Sequence, residues 1–124
     1  MSQDKVADGL NQMMNAKIAG KKIVKISMYS KVLLSVLAIG KLKKYISNYN
    51  IEGKELNVTL GKLNFCRAVK PRYIVKAKDI EKYVRRYLPA RGLGVVLIST
   101  SQGLMTHQTA QEKNLGGSII AYFY

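Results

Sequence analysis

The 124-residue sequence predicts an α+β fold in two small lobes. Three observations lead there. The apolar content is 48%, enough for a folded core but in a chain no longer than one domain or two very small ones. Apolar residues recur at helical spacing in some stretches and alternate in others, in mixed order. The basic excess is not a tail, because its Lys and Arg are interleaved with regular apolar positions.

The elements follow in order. Val6, Leu10, Met13 and Met14 repeat at helical spacing, with Asp4 and Asp8 where a helix dipole favours anions, so residues 4–16 read as a first helix. Gly20 ends it, and Ile23–Met28 alternates as a strand with Val24, Ile26 and Met28 on one face. Ser30 is placed to cap a second helix that buries Val32, Leu33, Val36 and Leu37, with Lys41, Lys43 and Lys44 at its carboxyl end. Residues 45–51 and 56–63 read as paired strands around Glu52-Gly53-Lys54. The second half has a different plan. Arg72–Lys76 is a short strand with Tyr73 and Val75 on one side, and Ile80, Tyr83, Val84, Tyr87 and Leu88 make a helix stopped by Pro89. Val95–Ile98 is a continuous apolar run expected of a strand buried on both faces. A polar turn follows, then a short helix capped by Thr106 and ending at Leu115 with Gly116 as the left-handed exit, then a last strand over 118–124. The expected lobes are 1–64, helix-strand-helix-strand-strand, and 65–124, mixed strands with one or two short helices.

Charge narrows the function. Twenty-one Lys and Arg against seven Asp and Glu leave +14, and residues 17–91 carry 19 basic and 4 acidic side chains. Residues 92–124 balance Lys113 against Glu112. A small protein held at that charge repels itself, so a polyanionic partner is the simplest reason for it. One cysteine excludes an internal disulfide, and with one histidine it leaves too few ligands for the common zinc sites. No metal or cofactor is expected. The early acids make the amino terminus unlike a secretory signal, and no apolar run approaches a membrane span, so an intracellular protein is expected.

Chemistry-bearing motifs are few. Ser99-Thr100-Ser101-Gln102-Gly103 follows the buried strand and offers three hydroxyls, an amide and a glycine within five residues. Such a loop can read base edges, 2′-hydroxyls and phosphates without adding charge, or it is an ordinary turn with a helix cap. Gly116-Gly117 is either a helix stop or part of the same surface. Arg67, Lys70, Arg72 and Lys76 flank a short strand, while Arg85, Arg86 and Arg91 cluster after it, as suits planar phosphate recognition. Tyr73, Tyr122 and Tyr124 offer rings for unpaired bases or for the core. His107 has no carboxylate neighbour in sequence and reads as a helix-start or surface residue, and Cys66 as a small buried one. An enzyme is not expected.

The strings Lys70-Pro71-Arg72-Tyr73, Leu88-Pro89-Ala90-Arg91, Ser99 through His107, and Leu115-Gly116-Gly117 through Tyr124 resemble the universal small-subunit ribosomal protein family eight, in its archaeal and eukaryotic type. Asp4–Ala16, Gly20-Lys21-Lys22 and Ser30-Lys31 fit as well, so the resemblance spans nearly the whole chain. It implies two α+β lobes and no enzymatic activity. It also implies binding to a helical junction in the central domain of small-subunit ribosomal RNA, early in assembly, beside neighbouring ribosomal proteins in the cytoplasm. The family's Ser-Thr-Ser-x-Gly loop implies RNA contacts at Ser99, Thr100, Ser101 and Gly103, with Gln102 between them. Its Gly-Gly step implies Gly116 and Gly117. Lys31, Lys70 and Arg72 carry over as phosphate contacts. Lys44-Tyr45-Ile46 departs from the family's common Gly-Tyr-Ile, the hairpin at 49–55 is shorter than in many relatives, and Phe65-Cys66-Arg67 stands for Lys-Cys-Gly. A lipid-bound peripheral protein and a nuclease are the rival classes, separable by liposome flotation and by a metal-supplemented nuclease assay.

Overall fold

Helix α1 (Lys5–Ile18) buries Val6, Leu10 and Met13 of the expected stripe, with Ala16 in addition, while Met14 is only half-buried. The computed structural model describes residues 5–70, 72–90 and 92–124, so the expected helix start at Asp4, and with it Pro71 and Arg91, lie outside the described residues. The architecture is α+β, in two compact units, Met1–Cys66 and Arg67–Tyr124.

In the first unit, β1 (Ile23–Ile26) turns Val24 and Ile26 inward. Met28 does not join them. The strand ends two residues earlier and Met28 is 54% exposed, because the chain already bends toward the next helix. Ser30, in extended conformation, starts α2 (Lys31–Leu42) by accepting the Leu33 N–H on its Oγ at 3.2 Å. The buried stripe is Leu33, Val36, Leu37 and Gly40, and Val32 is exposed instead of buried. At 3.6 residues per turn Val32 stands about 100° round the helix from Leu33, off the stripe. β2 (Ile46–Glu52) and β3 (Glu55–Leu60) pair antiparallel, with Glu52 opposite Glu55 across a two-residue turn. β3 is shorter than the expected 56–63 and lies between β1 and β2 in a three-stranded sheet. The sheet's inward face carries Val24, Ile26, Leu56 and Val58.

Both helices of this unit end in the same way. Gly20 N–H donates to the Lys17 carbonyl at 3.0 Å and Lys21 N–H to the Ala16 carbonyl at 2.8 Å, with Gly20 at φ +78°. At the end of α2 the pattern repeats, with Lys44 to Lys41 at 3.1 Å and Tyr45 to Gly40 at 2.9 Å. This is the Schellman arrangement, in which the residue after the cap turns left-handed. At α2 that residue is Lys44, at φ +69°, where a side chain is strained.

β4 (Cys66–Ala68), which begins on the last residue of the first unit, and β7 (Gly103–Thr106) of the second unit are strands that the sequence pattern did not reveal. β5 is only Ile74–Val75 and leads through a 3-10 turn at Ala77–Asp79 into α3 (Ile80–Tyr87). Leu88 is extended (ψ 141°), as the residue before a proline must be. β6 (Val95–Thr100) buries all four residues Val95 to Ile98, as the continuous apolar run requires. α4 (His107–Glu112) is capped by Thr106, and β8 (Gly117–Phe123) closes the chain. The sheet order is β4-β8-β6-β7, and β5 also pairs with β8. α4 stops at Glu112, not Leu115, and its left-handed exit is Asn114 at φ +54°, not Gly116. Asn tolerates that conformation, and Leu115 N–H reaches back to the Ala110 carbonyl at 2.9 Å to complete a third Schellman motif. Gly116 is thereby released for another use.

His107 is the first residue of α4, as one of the two expectations had it, and it is buried, so the surface alternative does not hold. Thr106 is the last residue of β7 paired to β6, opposite Leu97, and at the next step the His107 ring takes the place of a carbonyl. Its Nδ1 accepts the Val96 N–H at 3.1 Å, which keeps that nitrogen unprotonated. Cys66 is buried as expected, its thiol donating to the Leu10 carbonyl at 3.7 Å. Burial pushes the thiol pKa up to about 12.

Two predictions follow from this packing. Lys44→Gly relieves the left-handed strain and raises stability by about 1 kcal/mol, read from the urea midpoint. His107→Ala leaves the Val96 N–H buried without its acceptor and lowers stability by about 1–3 kcal/mol or more in the same assay. A third concerns the thiol. With so little thiolate at pH 8, Cys66 resists iodoacetamide in the native protein and reacts once the chain is unfolded in urea, as intact-mass measurement will register.

Candidate nucleic-acid interface

The candidate surface is assembled by β8, which holds β6 on one side and β5 on the other. Across β6, Thr100 stands opposite Gly117 and Ser99 opposite Ser118. Across β5, Val75 also stands opposite Gly117 and Ile74 opposite Ser118. Three strands therefore meet at Gly117. A Cβ there would land on the Ser99 carbonyl, and one on Gly116 would press on the Val75 carbonyl. Close backbone approach is the reason for the Gly-Gly step.

Ser99 to Gly103 is the tip of the β6–β7 hairpin, not a free loop leading to a helix. Thr100 pairs with Gly103, and Ser101 and Gln102 form the two-residue turn, with Gly103 at φ +109°. Thr100 Oγ1 donates to the Gly103 carbonyl at 2.9 Å and accepts the Gln102 N–H at 3.1 Å. Its hydroxyl is thus committed to shaping the turn. Ser99, Ser101 and Gln102 are exposed. The tip is uncharged, carrying donors and acceptors for a partner without adding attraction to every phosphate.

Beside the Gly-Gly step lies an open hollow of about 520 Å³, bordered by Ile74, Lys76, Lys78, Asn114, Gly116 and Gly117. Lys78 and Asn114 were not legible as neighbours of this step. The 3-10 turn delivers the first and the α4 exit the second, and neither has a periodic signature. Ile74 is 84% exposed at the same edge.

Lys70 and Arg72 reach this edge by a different device. Val69 N–H donates to the Ile120 carbonyl at 2.9 Å, and Ile119 N–H donates to the Tyr73 carbonyl at 2.9 Å. Val69 and Tyr73 are thereby tied to β8, and Lys70 and Arg72, their neighbours in the chain, are exposed. Arg72 stands three residues before Val75, outside β5. Lys31 is separate. It is the exposed first residue of α2, in the first unit.

The tyrosines are mostly spent on one another. Tyr122 stacks on Tyr87 with centroids 5.1 Å apart and lies 6.4 Å from Tyr124, all three against the second unit's core. Burial, with Tyr73 nearby, raises the Tyr87 hydroxyl pKa. Tyr73, 38% exposed and 6.0 Å from Tyr83, is the more accessible ring.

Gly117→Ala should separate β8 from Ser99 and lower stability by about 1–3 kcal/mol, with loss of protection at β6–β8 amides in hydrogen exchange. Thr100→Val, which removes both turn hydrogen bonds, should cost about 1 kcal/mol and broaden the amide signals of Ser101 and Gln102.

The surface joins a neutral polar tip, a glycine step and flanking cations, in a chain of net charge +14. The family model described as ribosomal protein S8 matches residues 4–124. The chain belongs to the ribosomal protein S8 family, and is thus a structural, ribosomal-RNA-binding component of the small ribosomal subunit that serves translation.

Proposed function

We propose that this protein, of the archaeal and eukaryotic type, binds a helical junction in the central domain of small-subunit ribosomal RNA and supports subunit assembly in the cytoplasm, in contact with neighbouring ribosomal proteins. The observation that carries this reading is the meeting of the uncharged Ser99–Gly103 tip with Gly117 across one ladder step. Lys and Arg neutralise phosphates and set orientation, which yields affinity that falls with salt. The tip and the Gly116-Gly117 step read RNA shape and unpaired bases, which yields discrimination. In this division of labour the lobe of residues 1–64 contributes charge, Lys31 among it. The lobe of residues 65–124 contributes recognition through Ser99, Ser101, Gln102 and the glycine step. Lys70 and Arg72 anchor its edge. Thr100 and Gly103 act by holding the tip in shape.

Two variants test the division. Lys31→Ala weakens binding to every RNA and reduces the salt slope by about one unit. Ser101→Ala lowers the preference for the central-domain junction over a plain duplex while leaving that slope in place. Binding curves at several salt concentrations decide. If both variants change slope and preference alike, the two roles are not separate.

A further inference from the structure

We infer a second RNA-backbone site on the first unit, in a groove that Lys17, Lys21, Lys22, Lys41, Lys44 and Lys62 line together. Its ligand is the phosphodiester backbone of duplex RNA. The inference takes the class of ligand from the ribosomal-RNA reading and adds a place that neither the hairpin tip nor Lys31 occupies.

The groove has a volume of about 910 Å³, roomier than a single phosphate group needs. It is built where three segments are stitched by backbone hydrogen bonds. Leu60 N–H donates to the Lys22 carbonyl at 2.7 Å, Gly61 to Tyr45 at 2.9 Å and Lys62 to Lys44 at 3.1 Å. The lysines thus stand on a fixed frame, and Lys41 Nζ is further oriented by the Asn48 side-chain oxygen at 3.2 Å.

Helix dipoles do not account for so much charge. Both α1 and α2 end here, and two helix carboxyl ends supply about −0.5 each, enough to offset roughly one lysine. Among the described residues no carboxylate lines the groove. The described acids of this unit are remote in the fold. Asp8 is in the first turn of α1, about 14 Å along the helix from Lys17. Glu52 and Glu55 flank the far end of the β2–β3 hairpin.

The strain at Lys44 points the same way. A lysine occupies a left-handed position at φ +69° where glycine would cost less, and its side chain is the one thing glycine would not bring. The lining also selects among polyanions. Among the described residues it has no aromatic ring on which an unpaired base would stack, and no arginine fork. Duplex nucleic acid presents one charge per about 1.7 Å, a density that suits six clustered point charges better than a peptide does. Lys31, ten residues before Lys41 on α2, is about 15 Å away along the axis, so the two are separate contacts.

The test uses the full chain and a 20-base-pair RNA duplex of arbitrary sequence as probe. Lys21→Gln/Lys22→Gln/Lys62→Gln should reduce the salt slope by about 2 to 3 units. Between 50 and 200 mM salt the wild type then loses roughly 16- to 64-fold more affinity than this variant. Lys5→Gln/Lys54→Gln/Lys113→Gln, with the same charge change outside the groove, should leave the slope within about half a unit of wild type. Lys44→Gly should melt at a higher temperature yet bind more weakly and with a lower slope, an outcome that damage to the fold does not produce. Acetylation of the wild type, read by mass spectrometry, should show the duplex protecting the groove lysines and not Lys5 or Lys54. Equal losses in the two triple variants, or absence of selective protection, would overturn the site. So would displacement of the duplex by polyglutamate at equal charge, which would assign the groove to an acidic protein. Failure of the ribosomal-RNA reading has a different signature, equal wild-type affinity for junction and duplex.

Discussion

The contact on which the candidate surface depends is the close approach of Gly117 to the Ser99 carbonyl. It fixes the spacing of β6 and β8, and with Val75 on the other side it makes Gly117 the point where three strands meet. A side chain at that point would part the sheet. The hairpin tip, the hollow beside the glycine step and the edge that carries Lys70 and Arg72 are all held relative to this one residue. Their geometry is set by backbone, so the exposed side chains are left for a partner. Thr100 is the exception, since its hydroxyl closes the turn.

A second recurring device is the way the helices stop. α1, α2 and α4 all finish with a left-handed residue and paired backbone hydrogen bonds, using Gly20, Lys44 and Asn114 in turn. In the first unit two such endings converge on one groove and bring a lysine to a position that favours glycine. In the proposed reading an uncharged tip and a cation-lined groove do different physical work, one sensitive to RNA shape and the other to phosphate density.

Much of this was legible in the sequence wherever periodicity carried it. The stripes of α1 and α3, the Ser30 and Thr106 caps and the buried run at Val95–Ile98 follow from spacing alone. Features without a period were not legible. β7 consists of Gly-Leu-Met-Thr, whose pairing is imposed by the turn before it, and β4 is three residues whose partner is far along the chain. Val32 stands one residue before the first buried position of α2, and Met28 lies two residues past the end of β1. The left-handed exit at Asn114 was hidden by two glycines just after it, which serve close packing instead. His107 shows the same limit. Its ring acts as a surrogate ladder carbonyl, a role that only the register of β6 and β7 reveals. Of the site residues, the motif at 99–103 and 116–117 could be named from sequence, but their adjacency rests on the β6–β8 register.

The measurement that tests the central claim most directly is a salt titration of the wild-type protein against two RNAs, a central-domain junction from small-subunit ribosomal RNA and a regular duplex of equal length. The account predicts tighter binding to the junction, with a margin over the duplex that widens as salt rises, because the neutral tip contributes affinity that counterions do not erode. Equal affinities falling along equal, steep slopes would contradict it, and would reduce the protein's recognition to its net charge.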